Sequence, residues 1–315
     1  MKTRLGFILL VFFGSALSLA PRFKGIAETD EAGLGRKLFF DRMLSLDYSI
    51  SCADCHRPEM AFSDSIALSK GINGRATKRN APPLTNLGGR PYFFWDGRVE
   101  TLEAQVFHPI QNPDEMGMSL VELNRRLQAN EEYTKLFSQV YGSPPDSKLA
   151  AKAIAAFEET LETGNSPFDR FMEGDSSAIS SAAMRGREIF MGKGRCFDCH
   201  FSPDFTGDEF KNIGLFNGKN LNDSGRFRAT GKAEDIGKFR VPGLRNIGLT
   251  APYMHNGMFK SLHELIEYYN KPDKVVSNSI NRDTTFNKPL NLNKSEKRDL
   301  LEFLNTLNSP SATKR

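Results

Sequence analysis

Two short motifs constrain this chain more than anything else in it. Cys52-Ala-Asp-Cys55-His56 and Cys196-Phe-Asp-Cys199-His200 hold every cysteine of the 315-residue sequence, and each pair is followed directly by a histidine. Thiols separated by two residues reach the two vinyl groups on one porphyrin edge, and the adjoining imidazole falls on the iron, so this spacing signals covalent attachment of haem c. A zinc knuckle would want further Cys or His ligands at short spacing, and neither motif has them. A chain with two such sites has to build two crevices, each closed around a flat prosthetic group.

The N-terminus agrees with that chemistry. Lys2 and Arg4 precede an apolar run from Leu5 to Phe13 and then the small residues of Gly14-Ser-Ala-Leu-Ser-Leu-Ala20, the layout of a secretory signal. Leu5–Ala20 is shorter than the roughly 20 residues a spanning helix needs, so cleavage is expected rather than stable membrane insertion. Pro21 disfavours a cut directly after Ala20, which leaves Ala16 or Ser18 as candidates. The expected location is the periplasm. A formal net charge of +4 carries no nucleic-acid footprint.

The two motifs sit in related surroundings. Gly35-Arg-Lys-Leu-Phe-Phe40 precedes the first and Gly186-Arg-Glu-Ile-Phe-Met191 the second, which reads as an internal duplication, each copy a helix packing an aromatic residue toward its haem. Helical periodicity without internal Gly or Pro runs from Ser119 to Val140 and from Lys148 to Thr163, and a last helix is expected near Ser295–Leu307. Gly164-Asn-Ser-Pro167 and Gly174-Asp-Ser-Ser mark a junction. The expectation is an all-α protein of two c-type cytochrome-like haem domains with long connecting loops: a signal peptide at 1–20, an N-terminal haem domain at 21–168 and a C-terminal one at 169–315.

What completes each iron decides the function. An iron with two strong protein ligands shuttles electrons, whereas one with an open face activates a small oxidant. Beyond His56 and His200 the chain has only His108, His255 and His263. For the first haem an open or water-bound face is preferred, against Met60, His108 or Met116 as sixth ligand. For the second, Ser261-Leu-His-Glu264 reads as a capping box opening a helix. Leu262, Leu265, Ile266 and Tyr269 then share its buried face, with His263 and Tyr268 pointing elsewhere. By pattern alone Tyr269 is a core tyrosine more often than a ligand, and Met254, His255 and Met258 compete for the role.

Longer stretches carry a resemblance: Arg79-Asn-Ala-Pro82, Phe94-Trp-Asp-Gly-Arg98, Thr101-Leu-Glu-Ala-Gln105, Pro109-Ile-Gln-Asn-Pro-Asp-Glu-Met116, Gly237-Lys-Phe-Arg-Val-Pro242 and Thr250-Ala-Pro-Tyr-Met-His-Asn-Gly257. With the two haem motifs, and from about Gly35 to Leu307, they make the chain similar to the bacterial dihaem cytochrome c peroxidase family, including its MauG-like branch. The resemblance implies His56 as proximal ligand of a peroxidatic haem and His200 as that of an electron-transfer haem. It implies Glu115 as distal acid/base with Gln105 and Pro109 lining the same pocket, Trp95 as electronic coupler between the haems, and a calcium ion near Asn80 with Thr250 and Pro252 carbonyls as ligands.

Two departures from the ordinary peroxidases point to subtype. The loop Gly71-Ile-Asn-Gly-Arg75 holds no histidine where those enzymes carry one, the aligned residue being Ile72, so the first haem is expected to meet peroxide without reductive activation. Tyr269 falls where they place methionine and where the MauG-like branch has tyrosine, which reverses the odds set by pattern alone. His108 is a further oddity, set where relatives often have glycine. The expected activity is peroxide reduction at the first haem with a Tyr-ligated second haem storing or relaying oxidising equivalents from a periplasmic donor or protein substrate. The competing readings are a peroxide-scavenging peroxidase fed by a small cytochrome or cupredoxin, and a non-enzymatic dihaem electron carrier.

Overall fold

The computed structural model describes residue 27 and residues 29–310; the expected export signal lies outside them. The described chain is helical: α1 (Glu31–Phe40), α2 (Cys52–Cys55), α3 (Leu102–Gln111), α4 (Leu120–Ala129), α5 (Glu131–Tyr141), α6 (Ser147–Glu159), α7 (Pro167–Met172), α8 (Ser181–Met191), α9 (Phe227–Thr230), α10 (Leu262–Asn270), α11 (Pro272–Val275) and α12 (Lys294–Asn305). Its one sheet pairs β1 (Phe210–Lys211) with β2 (Phe239–Arg240) antiparallel, Phe210 opposite Arg240. No helix of the described residues is long and apolar enough to cross a membrane.

The apolar side chains gather in two cores. One runs from Leu34 to Leu161, the other from Phe168 to Leu307. Each is built around one helix crossing, α1 on α6 and α8 on α12. Both crossings depend on a glycine from the duplicated segment: a β-carbon on Gly35 would fall 1.8 Å from the Ala153 carbonyl oxygen, and one on Gly186 would fall 1.9 Å from that of Asp299. Backbone contact that close admits no side chain. It brings Phe39 to 5.2 Å from Phe157 and Phe190 to 5.1 Å from Phe303, ring centre to ring centre, in edge-on pairs.

The periodic stretch Ser119–Val140 is two helices rather than one. Asn130 breaks it: the residue leaves helical geometry and its side chain caps α5 by accepting the Tyr133 N–H at 3.1 Å. At α10 the Ser261 hydroxyl accepts the Glu264 N–H as a capping box requires, but Glu264 returns to the N–H of Lys260 instead of that of Ser261.

Charged groups tie the two cores together. Arg79 donates to both carboxylate oxygens of Asp223, at 2.7 and 2.9 Å, and to Asp96 at 2.6 Å. Arg90 reaches Asp204 and Asp208. The Arg240 N–H donates to the Trp95 carbonyl at 2.8 Å, so backbone also crosses between the halves.

Candidate functional site

The duplication extends to the atoms that aim each histidine. Both Cys-X-X-Cys segments form a short turn in which the histidine N–H closes onto the first cysteine's carbonyl at 2.9 Å. His56 Nδ1 then lies 2.9 Å from the Phe62 carbonyl oxygen and His200 Nδ1 lies 2.8 Å from that of Phe205. Phe62 and Phe205 both sit at φ of 57°. Non-glycine residues held there cost about 1–3 kcal/mol, which a bent chain spends in order to point a carbonyl inward. A buried neutral imidazole that donates Nδ1–H presents the Nε2 lone pair to a metal. Burial lowers the pKa of both rings, as that role requires.

Beside each histidine lies a cavity lined by its own two cysteines. None of the four is in a disulfide. Burial pushes the Cys55 thiol up to about 11 and the Cys196 and Cys199 thiols to about 12, far from the activated thiolates of redox dithiols. Thiols free of disulfides at the edge of a cavity, next to an Nδ1-anchored histidine, fit a covalently held haem.

The His56 cavity, about 400 Å³, has Gln105 and Pro109 of α3, Glu115 and Met116 on its wall. Glu115 is fixed by Asn112, whose Nδ2 donates to its Oε1 at 2.8 Å while the Asn112 carbonyl takes its N–H. Burial raises the Glu115 pKa, opposed by that bond and by Arg98. Of the competing ligands, Met60 and His108 stand outside this wall and Met116 within it. Ile72 is buried against the 112–117 turn, its N–H donating to the Glu115 carbonyl at 2.8 Å, and it does not line the cavity.

The His200 cavity, about 190 Å³, is lined by Phe190, Met254, His255, Leu265 and Tyr269. The α10 wheel misjudged one residue. Tyr268 is wholly buried and donates to the Ile213 carbonyl at 2.6 Å, whereas Tyr269 is half-buried on the cavity side. The helix is covered on two faces, so an apolar stripe alone does not find its buried side. His263 is exposed, and Met258 is absent from the wall.

Trp95, Asn80 and Arg240 line both cavities. The Trp95 indole donates to the Asn80 carbonyl at 2.8 Å. Asn80 spends Nδ2 on the carbonyls of Ile66 and Ala67, leaving Oδ1 as its acceptor, and Thr250 and Pro252 share the His200 cavity wall with it. Among the described residues no cluster of three or more His, Cys, Asp or Glu is arranged for a metal.

The helices facing the two cavities also correspond. α3 and α10 both begin with Leu behind a hydroxyl N-cap, Thr101 or Ser261, each accepting a backbone N–H at 3.2 Å. The eighth residue is Pro109 in one and Tyr269 in the other. Sequence reasoning missed this pairing, and with it the anchoring carbonyls and Asn112. The matching Phe94-Trp-Asp-Gly97 and Met254-His-Asn-Gly257 turns, with positive φ at Phe94 and Met254, were the available signal.

The chain is 39% identical over 286 residues to the methylamine utilization protein MauG of Methylorubrum extorquens, an alignment covering 90% of this chain and 79% of that one. It is 35% identical to the cytochrome c551 peroxidase of Nitrosomonas europaea, covering 88% and 80%. A crystal structure of a MauG-like protein associated with microbial copper homeostasis superposes with a TM-score of 0.82 at 30% identity, covering 92% of each chain. Two haem crevices in a mainly helical chain, facing one tryptophan, define a dihaem c-type enzyme. The chain belongs to the di-haem cytochrome c peroxidase family, whose profile matches residues 29–177, and it is a peroxidase that carries two haems c.

Proposed function

We propose that the protein is a periplasmic MauG-like peroxidase that reduces hydrogen peroxide on the His56 side and uses the His200 side, completed by Tyr269, to store or relay oxidising equivalents. When bound, the haems supply the iron that meets peroxide and the couple that takes up and releases electrons. Cys52 and Cys55 hold one haem and Cys196 and Cys199 the other, with His56 and His200 as their proximal ligands.

The Glu115 carboxylate accepts a proton from the inner peroxide oxygen and returns it to the outer one, so that this oxygen leaves as water. Asn112 holds the carboxylate in place through its 2.8 Å bond. Gln105 offers an amide to the bound oxygens. Pro109 puts a ring with no N–H and no metal-binding atom where α10 carries a phenol. Trp95, on the wall common to both cavities, couples the two sides. A calcium ion fits beside it, held by Asn80 Oδ1 and the Thr250 and Pro252 carbonyls, neutral oxygens of the kind that ion takes.

The observation that carries the reading is the contrast between Pro109 and Tyr269 at the same position of corresponding helices. Its test is the ferric electron paramagnetic resonance spectrum: a high-spin signal beside a low-spin one that resists reduction is expected. Met254 on the His200 cavity wall favours a second reading, a peroxide-scavenging enzyme fed by a small cytochrome or cupredoxin. In that case the second haem would be methionine-ligated and of high potential. Two six-coordinate low-spin signals would leave only an electron carrier.

A further inference from the structure

The C-terminal end of α3 borders a second, open cavity of about 310 Å³, which shares Phe94, Arg98, Asn112 and Glu115 with the His56 cavity and carries the exposed His108 and Gln111 on its rim. At about 30 Å³ per molecule it has room for on the order of ten waters. His108 is exposed at the mouth, its ring edge-on to Phe94 with centres 5.2 Å apart. One helical turn later, Asn112 returns its N–H to the His108 carbonyl at 3.0 Å, so the two side chains follow each other on one face. Asn112 in turn grips Glu115. Mouth, relay and distal carboxyl therefore share one vestibule.

Peroxide reduction needs that connection. The balance is H2O2 + 2 e− + 2 H+ → 2 H2O. The electrons come from the donor by way of the second haem, and the two protons have to reach the distal side from solvent. We propose that His108 is the proton-loading residue of this enzyme, taking a proton from bulk water at the vestibule mouth and passing it through vestibule water to the Glu115 carboxylate. The groups facing it are Arg98 and Asp96 from the loop before α3 and Glu115 from the turn after it. Partial covering of the ring and the Arg98 charge lower its pKa, and Asp96 opposes them. An imidazole kept mainly neutral both accepts and releases a proton readily.

The inference rests on Glu115 as the distal acid/base, and the test separates the two. In His108→Gln, the first spectral change after peroxide mixing stays within about twofold, because the proton it needs comes from peroxide itself, while steady-state turnover with ferrocyanide falls roughly tenfold with an enlarged solvent deuterium isotope effect. His108→Glu restores turnover. Cyanide binding to the ferric protein gives a readout independent of activity: hydrogen cyanide sheds its proton on binding, so His108→Gln slows association and dissociation by the same factor and leaves Kd unchanged. Unaltered turnover, or a Kd that shifts with the association rate, overturns the role of His108. Should Glu115→Gln leave the first peroxide step intact, the underlying reading falls instead.

Discussion

The indole of Trp95 and the backbone of Asn80 are joined by a 2.8 Å hydrogen bond at the wall between the two haem cavities. The bond sets the plane of the ring and ties it to the segment that also offers the Asn80 side chain. Trp95→Phe leaves a buried carbonyl unpaired, at a cost of about 1–3 kcal/mol. The expected result is a lowered Tm and a first haem that still reacts with peroxide while the second responds more slowly. Stopped-flow absorbance at both haem bands checks it; an unaltered second phase would remove Trp95 from the path.

In the proposed mechanism Glu115→Gln keeps the shape and removes the proton acceptor. The peroxide step should fall by about 10²–10⁴. Burial raises the pKa of this carboxyl, so in the native protein the working carboxylate is lost on acidification at a pH above the ordinary glutamate value. The acid limb of the rate profile, measured by rapid mixing between pH 4 and 8 (an experimental range of about four units), should sit correspondingly high and vanish in the variant.

Tyr268 and Tyr269 are neighbours in different surroundings, and under the proposed ligation their phenylalanine variants should divide cleanly. Tyr268→Phe orphans the Ile213 carbonyl and should cost about 1–3 kcal/mol in stability with the haem spectra unchanged. Tyr269→Phe should change the spectrum and potential of the second haem. A Tyr269→Phe protein with a native low-spin signal would defeat the proposed ligation.

Glu158 is a buried acid without a counter-charge. It lines the His56 cavity, its Oε2 has no hydrogen-bond partner among the described residues, and burial pushes its pKa up to about 8 from the ordinary 4.5. The folded protein therefore holds a proton that the unfolded chain gives up above pH 4.5, and stability declines as pH rises from there to about 8. Glu158→Gln should leave Tm little changed at low pH and raise stability by several kcal/mol, at most about 5, at alkaline pH. Thermal melts of the holoprotein across that range decide it.

The sequence made the haem crevices legible because covalent attachment needs two thiols and an imidazole at fixed spacing, and no packing context alters that demand. The glycines of the duplicated helices were equally visible, though not their reason, which is backbone contact with Ala153 and Asp299. What stayed hidden depends on tertiary neighbours. A helix wheel cannot show that α10 is covered on two faces, so Tyr268 was sent to the wrong side. Asn130 breaks a periodic run through its side chain, without glycine or proline. Carbonyls such as those of Phe62 and Phe205 have no side-chain signature, yet they orient both histidines.

The correspondence of Pro109 and Tyr269 has a consequence for how such an enzyme acquires an asymmetric pair of centres from a duplicated ancestor. The shared seat is one part of that asymmetry: α3 carries there a ring without a metal-binding atom and α10 a phenol, and Glu115 lines the His56 cavity while no Asp or Glu of the described residues lines the His200 cavity. Under the proposed ligation Pro109→Tyr should silence the first lobe toward peroxide, and adding Tyr269→Pro should not move turnover to the second lobe, whose cavity wall lacks an acid.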